Sequence, residues 1–192
     1  MFKNINNKFI INSNGAIIIE LVFVVTIIAL FIKLLLSVAA YKSTVGKLDR
    51  ISYSIAGIIR ERVRLYDGNN ILTQKEVIKL KQLSVQMLLN SGTHYNNITM
   101  RIETLHFNDT DSPDPEHKII DDTKSVSFNV GACEPARELR EMSELSPYGN
   151  TGRWIPLYQV TLCLPTIPWY SNLFSPDVPV PAIKSSAITI ER

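Results

Sequence analysis

One carboxylate lies in a segment where a charge is costly. Glu20 is the only acidic residue between positions 16 and 40, and Lys33 is the only basic residue there. A carboxylate placed in hydrocarbon costs several kcal/mol unless a partner compensates its charge. The pattern therefore predicts that Glu20 pairs with a cation. The alternative is a chance charge near a helix end that is protonated or solvated.

A glycine, Gly15, lies five positions before this carboxylate. Residues 1–14 form a polar leader, Gly15 follows it, and Glu20 is the fifth residue counted from Ala16. Glycine has no side chain to clash with an approaching molecule, so the backbone at Gly15 is open to close approach. The order of these parts makes Gly15, Ala16 and Glu20 the first candidates for a functional site.

The histidines and an acidic loop are weaker candidates. The histidines are too scattered for a ligand set on one element, and surface or structural positions are expected for them: His94, His106 and His117. The loop at 108–122 offers the oxygen ligands that calcium prefers, but it lacks the glycine and the spacing of an EF-hand loop. A solvated loop is expected for its carboxylates: Asp109, Asp111, Asp114 and Glu116.

Enzymatic chemistry has no support in the remaining residues. The serines lack a glycine-flanked nucleophile elbow, and the tripeptide Asn97-Ile98-Thr99 fits a glycosylation sequon of a kind that is frequent by chance. With 20 Lys+Arg against 18 Asp+Glu, the net charge of +2 favours no polyanionic partner. No basic face with interleaved aromatic residues is present, so nucleic-acid binding is not expected. We expect no enzymatic activity, no cofactor and no metal.

A long helix must carry the first candidates. Residues 16–40 are numerous enough, at about 1.5 Å each, to cross a hydrocarbon core of about 30 Å. From 41 to 66 the pattern becomes amphipathic, with apolar residues at three- and four-residue spacing: Leu48, Ile51, Ile55, Ile58, Ile59, Val63 and Tyr66. We therefore predict one helix of about 50 residues, with a membrane-spanning first half and an amphipathic second half.

A small domain is predicted for residues 67–192. The run Asp67-Gly68-Asn69-Asn70 predicts a turn. Thr73 and Glu76 then form a capping box, and the helix that follows carries apolar residues on one side: Val77, Leu80, Leu83, Met87 and Leu88. Alternation from Ile98 onward predicts a half-buried strand, with Thr99, Arg101 and Glu103 on the polar side. Further strands are predicted at 125–130, 157–164 and 187–191. The expected fold class is α+β, a long helix packed on a small antiparallel sheet.

The residues around Gly15 resemble those of type IV prepilins, whose leaders are cut after a glycine and whose mature chains carry a glutamate at the fifth position. Two further segments resemble the TadF minor pseudopilins of the tight adherence (Tad, or Flp pilus) system. The first is the aspartate-arginine, serine-tyrosine-serine helix from Leu48 to Arg62, which continues to Tyr66. The second comprises Gly152-Arg153-Trp154 and the run from Leu157 to Cys163.

The resemblance implies a processing and assembly role. A membrane prepilin peptidase would remove the leader, residues 1–15, by cutting the Gly15–Ala16 bond. Glu20 would then neutralise the Ala16 amine of an adjacent subunit. The leader would lie in the cytoplasm and residues 67–192 in the periplasm. The implied partners are the peptidase, other pilins and pseudopilins through the N-terminal helix, and inner-membrane lipid.

The two cysteines have two possible states. In an oxidising periplasm, Cys133 and Cys163 are expected to form a disulfide; the alternative is a pair of buried free thiols. The expected function is assembly of a Tad pilus. Its alternatives are a minor pilin of another type IV pilus, a type II secretion pseudopilin, or a periplasmic binding domain held by a single membrane anchor.

Overall fold

The computed structural model describes residues 13–62, 72–92, 97–165 and 182–191. The chain divides into two compact units, Met1–Ser43 and Thr44–Arg192. The first unit carries the apolar part of a long helix. The second carries the remainder of that helix, a second helix and a β-sheet. The predicted α+β class is confirmed.

Helix α1 extends over Ser13–Arg60 and contains 48 residues. It begins three residues before the predicted start at Ala16. In the second unit its buried side chains recur at helical spacing and belong to one apolar core with the sheet: Leu48, Ile51, Ile55, Ala56 and Ile59. The predicted end at Tyr66 and the predicted turn at 67–70 lie outside the described residues.

Ile58 departs from the prediction for this helix. It was expected on the buried side of α1, but its side chain is 38% exposed. The neighbouring Ile59 occupies the buried position and is 3% exposed. At 3.6 residues per turn, two consecutive residues differ by about 100° around the axis, and here Ile59 lies nearer the centre of the buried side while Ile58 lies toward its edge.

Helix α2 extends over Gln74–Asn90 and begins with the predicted capping box at Thr73. The backbone N–H of Thr73 donates to Oε2 of Glu76 at 2.9 Å. The other carboxylate oxygen of Glu76 accepts from Nη2 of Arg62 at 2.7 Å. This ion pair joins the C-terminal end of α1 to the first turn of α2. Leu83, predicted on the apolar side of α2, is 40% exposed.

The sheet has four antiparallel strands in the order β2-β1-β3-β4. They are β1 (Thr99–Leu105), β2 (Ser127–Val130), β3 (Leu157–Pro165) and β4 (Ala182–Ile190). All four predicted strands are present. The fourth begins five residues before its predicted start at Ala187. The prediction missed these residues because Ser185, a polar residue, occupies a buried position where alternation requires an apolar one.

The two faces of the sheet contribute to two apolar clusters, since successive side chains of a strand point to opposite faces. The larger cluster joins α1, α2 and one face, including Met100 and Val160. The smaller cluster lies on the other face: Leu105, Phe107, Leu139, Trp154 and Leu157. The second face of the sheet, whose residues on β1 were predicted to be polar and exposed, is therefore covered as well.

A buried hydroxyl pair links α1 to β4 inside the larger cluster. Oγ of Ser52 lies 2.9 Å from Oγ of Ser185, and both residues are buried. The Ser52 hydroxyl also donates to the carbonyl oxygen of Asp49 at 2.9 Å, so it accepts from Ser185. Buried hydroxyls need such partners, and this pair requires Ser52 and Ser185 to stay opposite one another.

Candidate processing and assembly site

The three leading candidate residues lie close together on α1. Gly15 and Ala16 belong to the first turns of the helix, and Glu20 follows about one turn later. The side chain of Glu20 is exposed, and its neighbours along the chain, Ile19 and Leu21, are exposed apolar residues. Glu20 is therefore a carboxylate on an apolar helix surface, accessible to a partner outside this chain.

The surface around Glu20 is apolar over a long distance. Nearly every large hydrophobic side chain from Ile18 to Val38 is at least 39% exposed. The described residues contain one helix that is long and apolar enough to cross a membrane, with a mean hydropathy of 2.8 in its most apolar window. The hydroxyl of Thr26 donates to the carbonyl oxygen of Val22 at 2.8 Å, so this polar group is satisfied within the helix. Such a surface is suited to hydrocarbon or to other apolar helices.

Lys33 does not lie next to Glu20 on the helix. Thirteen residues separate them, which corresponds to about 20 Å of helical rise. A direct pair between these two side chains of one copy is excluded by that distance. The sequence left two roles for Lys33, a lysine that reaches the headgroup region and a pair with a carboxylate of a neighbouring subunit, and both remain predictions.

Cys133 and Cys163 form a disulfide in the structure. Their Cα atoms are 5.6 Å apart, and 30 residues separate them in the chain. Cys163 lies on β3, and Cys133 follows a turn at Gly131. That glycine has a φ of +88°, and a Cβ built on it would clash with Cγ2 of Thr99. The disulfide attaches the segment after β2 to the second face of the sheet.

The second face of the sheet carries a polar cluster that sequence reasoning missed. Arg101 and Glu103 were predicted on an exposed strand face, but Glu103 is only 7% exposed. Nη2 of Arg101 donates to Oε1 of Glu103 at 2.8 Å and lies 3.4 Å from Oε1 of Glu138. Nε2 of Gln159 donates to the carbonyl oxygen of Arg137 at 3.2 Å. The segment attached by the disulfide covers these side chains, and strand alternation alone does not reveal such a cover.

The histidines and the acidic loop do not converge on one site. His106 is buried, burial lowers its pKa, and the nearby Lys124 adds to that shift. His117 belongs to a short 3-10 helix, Pro115–His117, and His94 lies outside the described residues. Among the described residues no group of three or more His, Cys, Asp or Glu side chains is placed to hold a metal ion.

The four carboxylates that were expected to be solvated are exposed, namely Asp109, Asp111, Asp114 and Glu116, and some carboxylates of the loop at 108–122 also have local partners. Oδ1 of Asp114 accepts from the backbone N–H of Glu116 at 3.1 Å. Asp121 accepts from the backbone N–H of Thr123 at 3.0 Å, and Asp122 pairs with Arg140. These contacts give the loop a defined structure, which the sequence analysis did not predict.

Lys118 fixes the end of this loop on the smaller apolar cluster. Its Nζ lies 4.4 Å from the ring centroid of Trp154 and 4.9 Å from that of Phe107. It donates to the carbonyl oxygens of Ser143 and Ser146, the latter at 2.9 Å. Burial lowers the pKa of Lys118. A cation between two rings with two carbonyl acceptors serves the packing of the domain.

Comparison with known proteins identifies the family. The family model for TadF, the tight adherence pilin protein F, matches residues 8–192. The match includes Gly15 and Glu20, both helices, all four strands and both cysteines. No curated protein and no solved structure matches this chain. The chain therefore belongs to the TadF family of tight adherence pilin proteins.

Proposed function

We propose that this chain is a minor pseudopilin that takes part in assembly of a Tad (Flp) pilus, at the stage of initiating, capping or supporting the fibre. The observation that carries the proposal is the placement of Glu20 five residues after Gly15, on an exposed apolar helix surface in a chain of the TadF family. The first step is maturation, in which a prepilin peptidase cuts the Gly15–Ala16 bond and releases the leader.

Glu20 then selects the register of assembly. The new amine of Ala16 is a cation at the start of an apolar helix, and Glu20 of an adjacent subunit is the carboxylate that neutralises it. An unpaired charge in hydrocarbon is costly, so subunits gain stability by docking where the two charges meet. In this arrangement the leader is cytoplasmic, the helix crosses the inner membrane, and the domain with its disulfide lies in the periplasm.

The Glu20→Ala variant tests this role. We expect leader cutting close to that of the unchanged protein and loss of most of the incorporation into pilus preparations, because the amine of the neighbouring subunit loses its partner. Thr26→Ala is the matched control, since Thr26 bonds only within its own helix. The measurement is the amount of processed chain in the membrane and in sheared pili. Normal assembly of the Glu20→Ala protein would refute the pairing.

A further inference from the structure

A groove of about 310 Å³ lies between the last turn of α1 and the first three turns of α2. Its apolar lining includes Ile58 of α1 together with Leu80 and Leu83 of α2. The ion pair between Arg62 and Glu76 lies at one end. All of these residues belong to the second unit, so the groove is a feature of the folded domain.

The groove contains the two apolar residues that break the helical pattern. Ile58 and Leu83 both occur at positions where the periodicity predicts burial, yet both are more than a third exposed. They come from different helices and face the same groove. Places where a well-formed sequence departs from its own pattern are often places of function. Exposed apolar surface within a groove with a polar rim is typical of interaction sites.

The exposed charge that the described residues place at the groove is positive. The carboxylate of Glu76 is already engaged, because it accepts from Arg62 at 2.7 Å and from the hydroxyl of Thr73 at 2.6 Å. Among the described residues, the exposed charges beside the groove are Lys79, which lines it, and Lys75, one turn earlier on the same side of α2. A ligand that fills the groove therefore meets two ammonium groups at its edge.

We propose that this groove binds another pilin-like subunit, which inserts an apolar ridge flanked by carboxylates. The inference rests on the proposed function, since it assumes a co-assembling partner. A face-to-face pair of two copies of this chain would place the lysines of one copy against those of the other, and like charges opposed in this way are unfavourable. A distinct subunit with acidic residues next to its apolar contact avoids that repulsion.

Site-specific photo-crosslinking in cells that contain the complete pilus system tests the inference. A photoreactive phenylalanine at position 83 should cross-link to a second membrane-anchored pilin-like chain, through a peptide that carries Asp or Glu next to an apolar residue. The same probe at Ile119, an exposed apolar residue of the acidic loop, is the matched control and should give at least fivefold less of this product. Lys79→Glu should reduce the product at position 83 by a similar factor, and Lys184→Glu, which alters an exposed lysine on β4, should leave it unchanged.

A charge exchange separates docking from folding. In the Lys79→Glu protein, replacing the cross-linked acidic residue of the partner by lysine should restore the product. A product with a second copy, an intramolecular product, or no product at position 83 while leaders are cut and pili form would overturn the inference and leave the proposed function intact. A chain whose leader is never cut and that never enters pili would instead contradict the proposed function.

Discussion

The two halves of α1 bury their apolar residues to different extents. Ile18 is 62% exposed and Leu35 is 65% exposed, whereas Leu48 and Ile55 are fully buried. The buried half finds its partners within the same chain, on α2 and the sheet. The exposed half has no comparable cover among the described residues. One continuous helix thus has two different parts: its second half is a core element of the domain, and its first half is an exposed apolar surface.

Substitutions to alanine in the two halves should change the stability of the domain to very different extents. Leu48→Ala should lower the free energy of unfolding of the domain by about 2–5 kcal/mol, because it removes a fully buried side chain and leaves a cavity. Leu35→Ala is the matched control and should change that free energy by about 0.5 kcal/mol or less. The measurement is urea unfolding of the full chain in detergent micelles, followed by tryptophan fluorescence. Equal losses of unfolding free energy in the two variants would contradict the conclusion that only the second half of α1 belongs to the core of the domain.

The disulfide lies in the folded domain and should stabilise that domain without affecting the exposed apolar half of α1. Replacing Cys133 and Cys163 together by serine should lower the free energy of unfolding of the domain by about 3–4 kcal/mol, the value expected for a closed loop of this length. Extraction of the membrane helix by detergent should stay unchanged. Proteolysis and detergent extraction of the same preparation report the two properties separately, and a loss of membrane anchoring in the variant would show that the regions are coupled.

The ion pair between Arg62 and Glu76 makes the domain sensitive to acid. Burial alone would raise the pKa of Glu76, but the hydrogen bonds from Arg62 and Thr73 outweigh it and lower the pKa below its ordinary value. The carboxylate is therefore favoured in the folded state. Its contribution to stability is complete above the pKa of the unfolded chain, about 4.3, and is lost as the pH falls through the lower folded value.

Glu76→Gln should reveal how much the ionised carboxylate of Glu76 contributes to the stability of the domain. At pH 7 we expect a loss of about 1.5–3 kcal/mol, because a hydrogen bond between two charges is replaced by one to a neutral amide. Below pH 4 the difference between the two proteins should shrink. Glu116→Gln, in the acidic loop, is the control. A difference that grows on acidification would show that the sign assigned to Glu76 is wrong.

The hydroxyl pair between Ser52 and Ser185 should give the smallest effect. Either serine replaced by alanine leaves the other buried hydroxyl short of one partner, at a cost of about 1 kcal/mol. The double variant should lose less than the sum of the two single variants, because no orphaned group remains. Urea unfolding of all three proteins measures this coupling, and strict additivity would mean that the two hydroxyls act independently.

Much of the fold follows from hydrophobic periodicity. The absence of proline between Gly15 and Tyr66 predicts the long helix, and the capping box at Thr73 and Glu76 predicts the start of α2. The early start of β4 was missed because Ser185 stands on its buried face, where alternation requires an apolar residue. The burial of Glu103 was missed because the cover over it comes from a segment that is distant in the chain.

The sequence proposes the processing and assembly residues but does not reveal the groove between α1 and α2. Gly15, Ala16 and Glu20 are recognised from local spacing, since the proposed chemistry acts on neighbouring residues of one helix. The groove between α1 and α2 could not be predicted, because Ile58 and Leu83 both fit a buried stripe in their own helices. Only the packing of the two helices shows that these side chains stay exposed.

The N-terminus of the mature chain tests the central claim most directly. Intact mass and N-terminal sequencing of the membrane-extracted protein, with and without the prepilin peptidase, distinguish the two possible starts. The account predicts a chain that begins at Ala16 when the peptidase is present and at Met1 when it is absent. A chain that begins at Met1 in both samples would contradict it, because the spacing of Gly15 and Glu20 would then have no role in maturation.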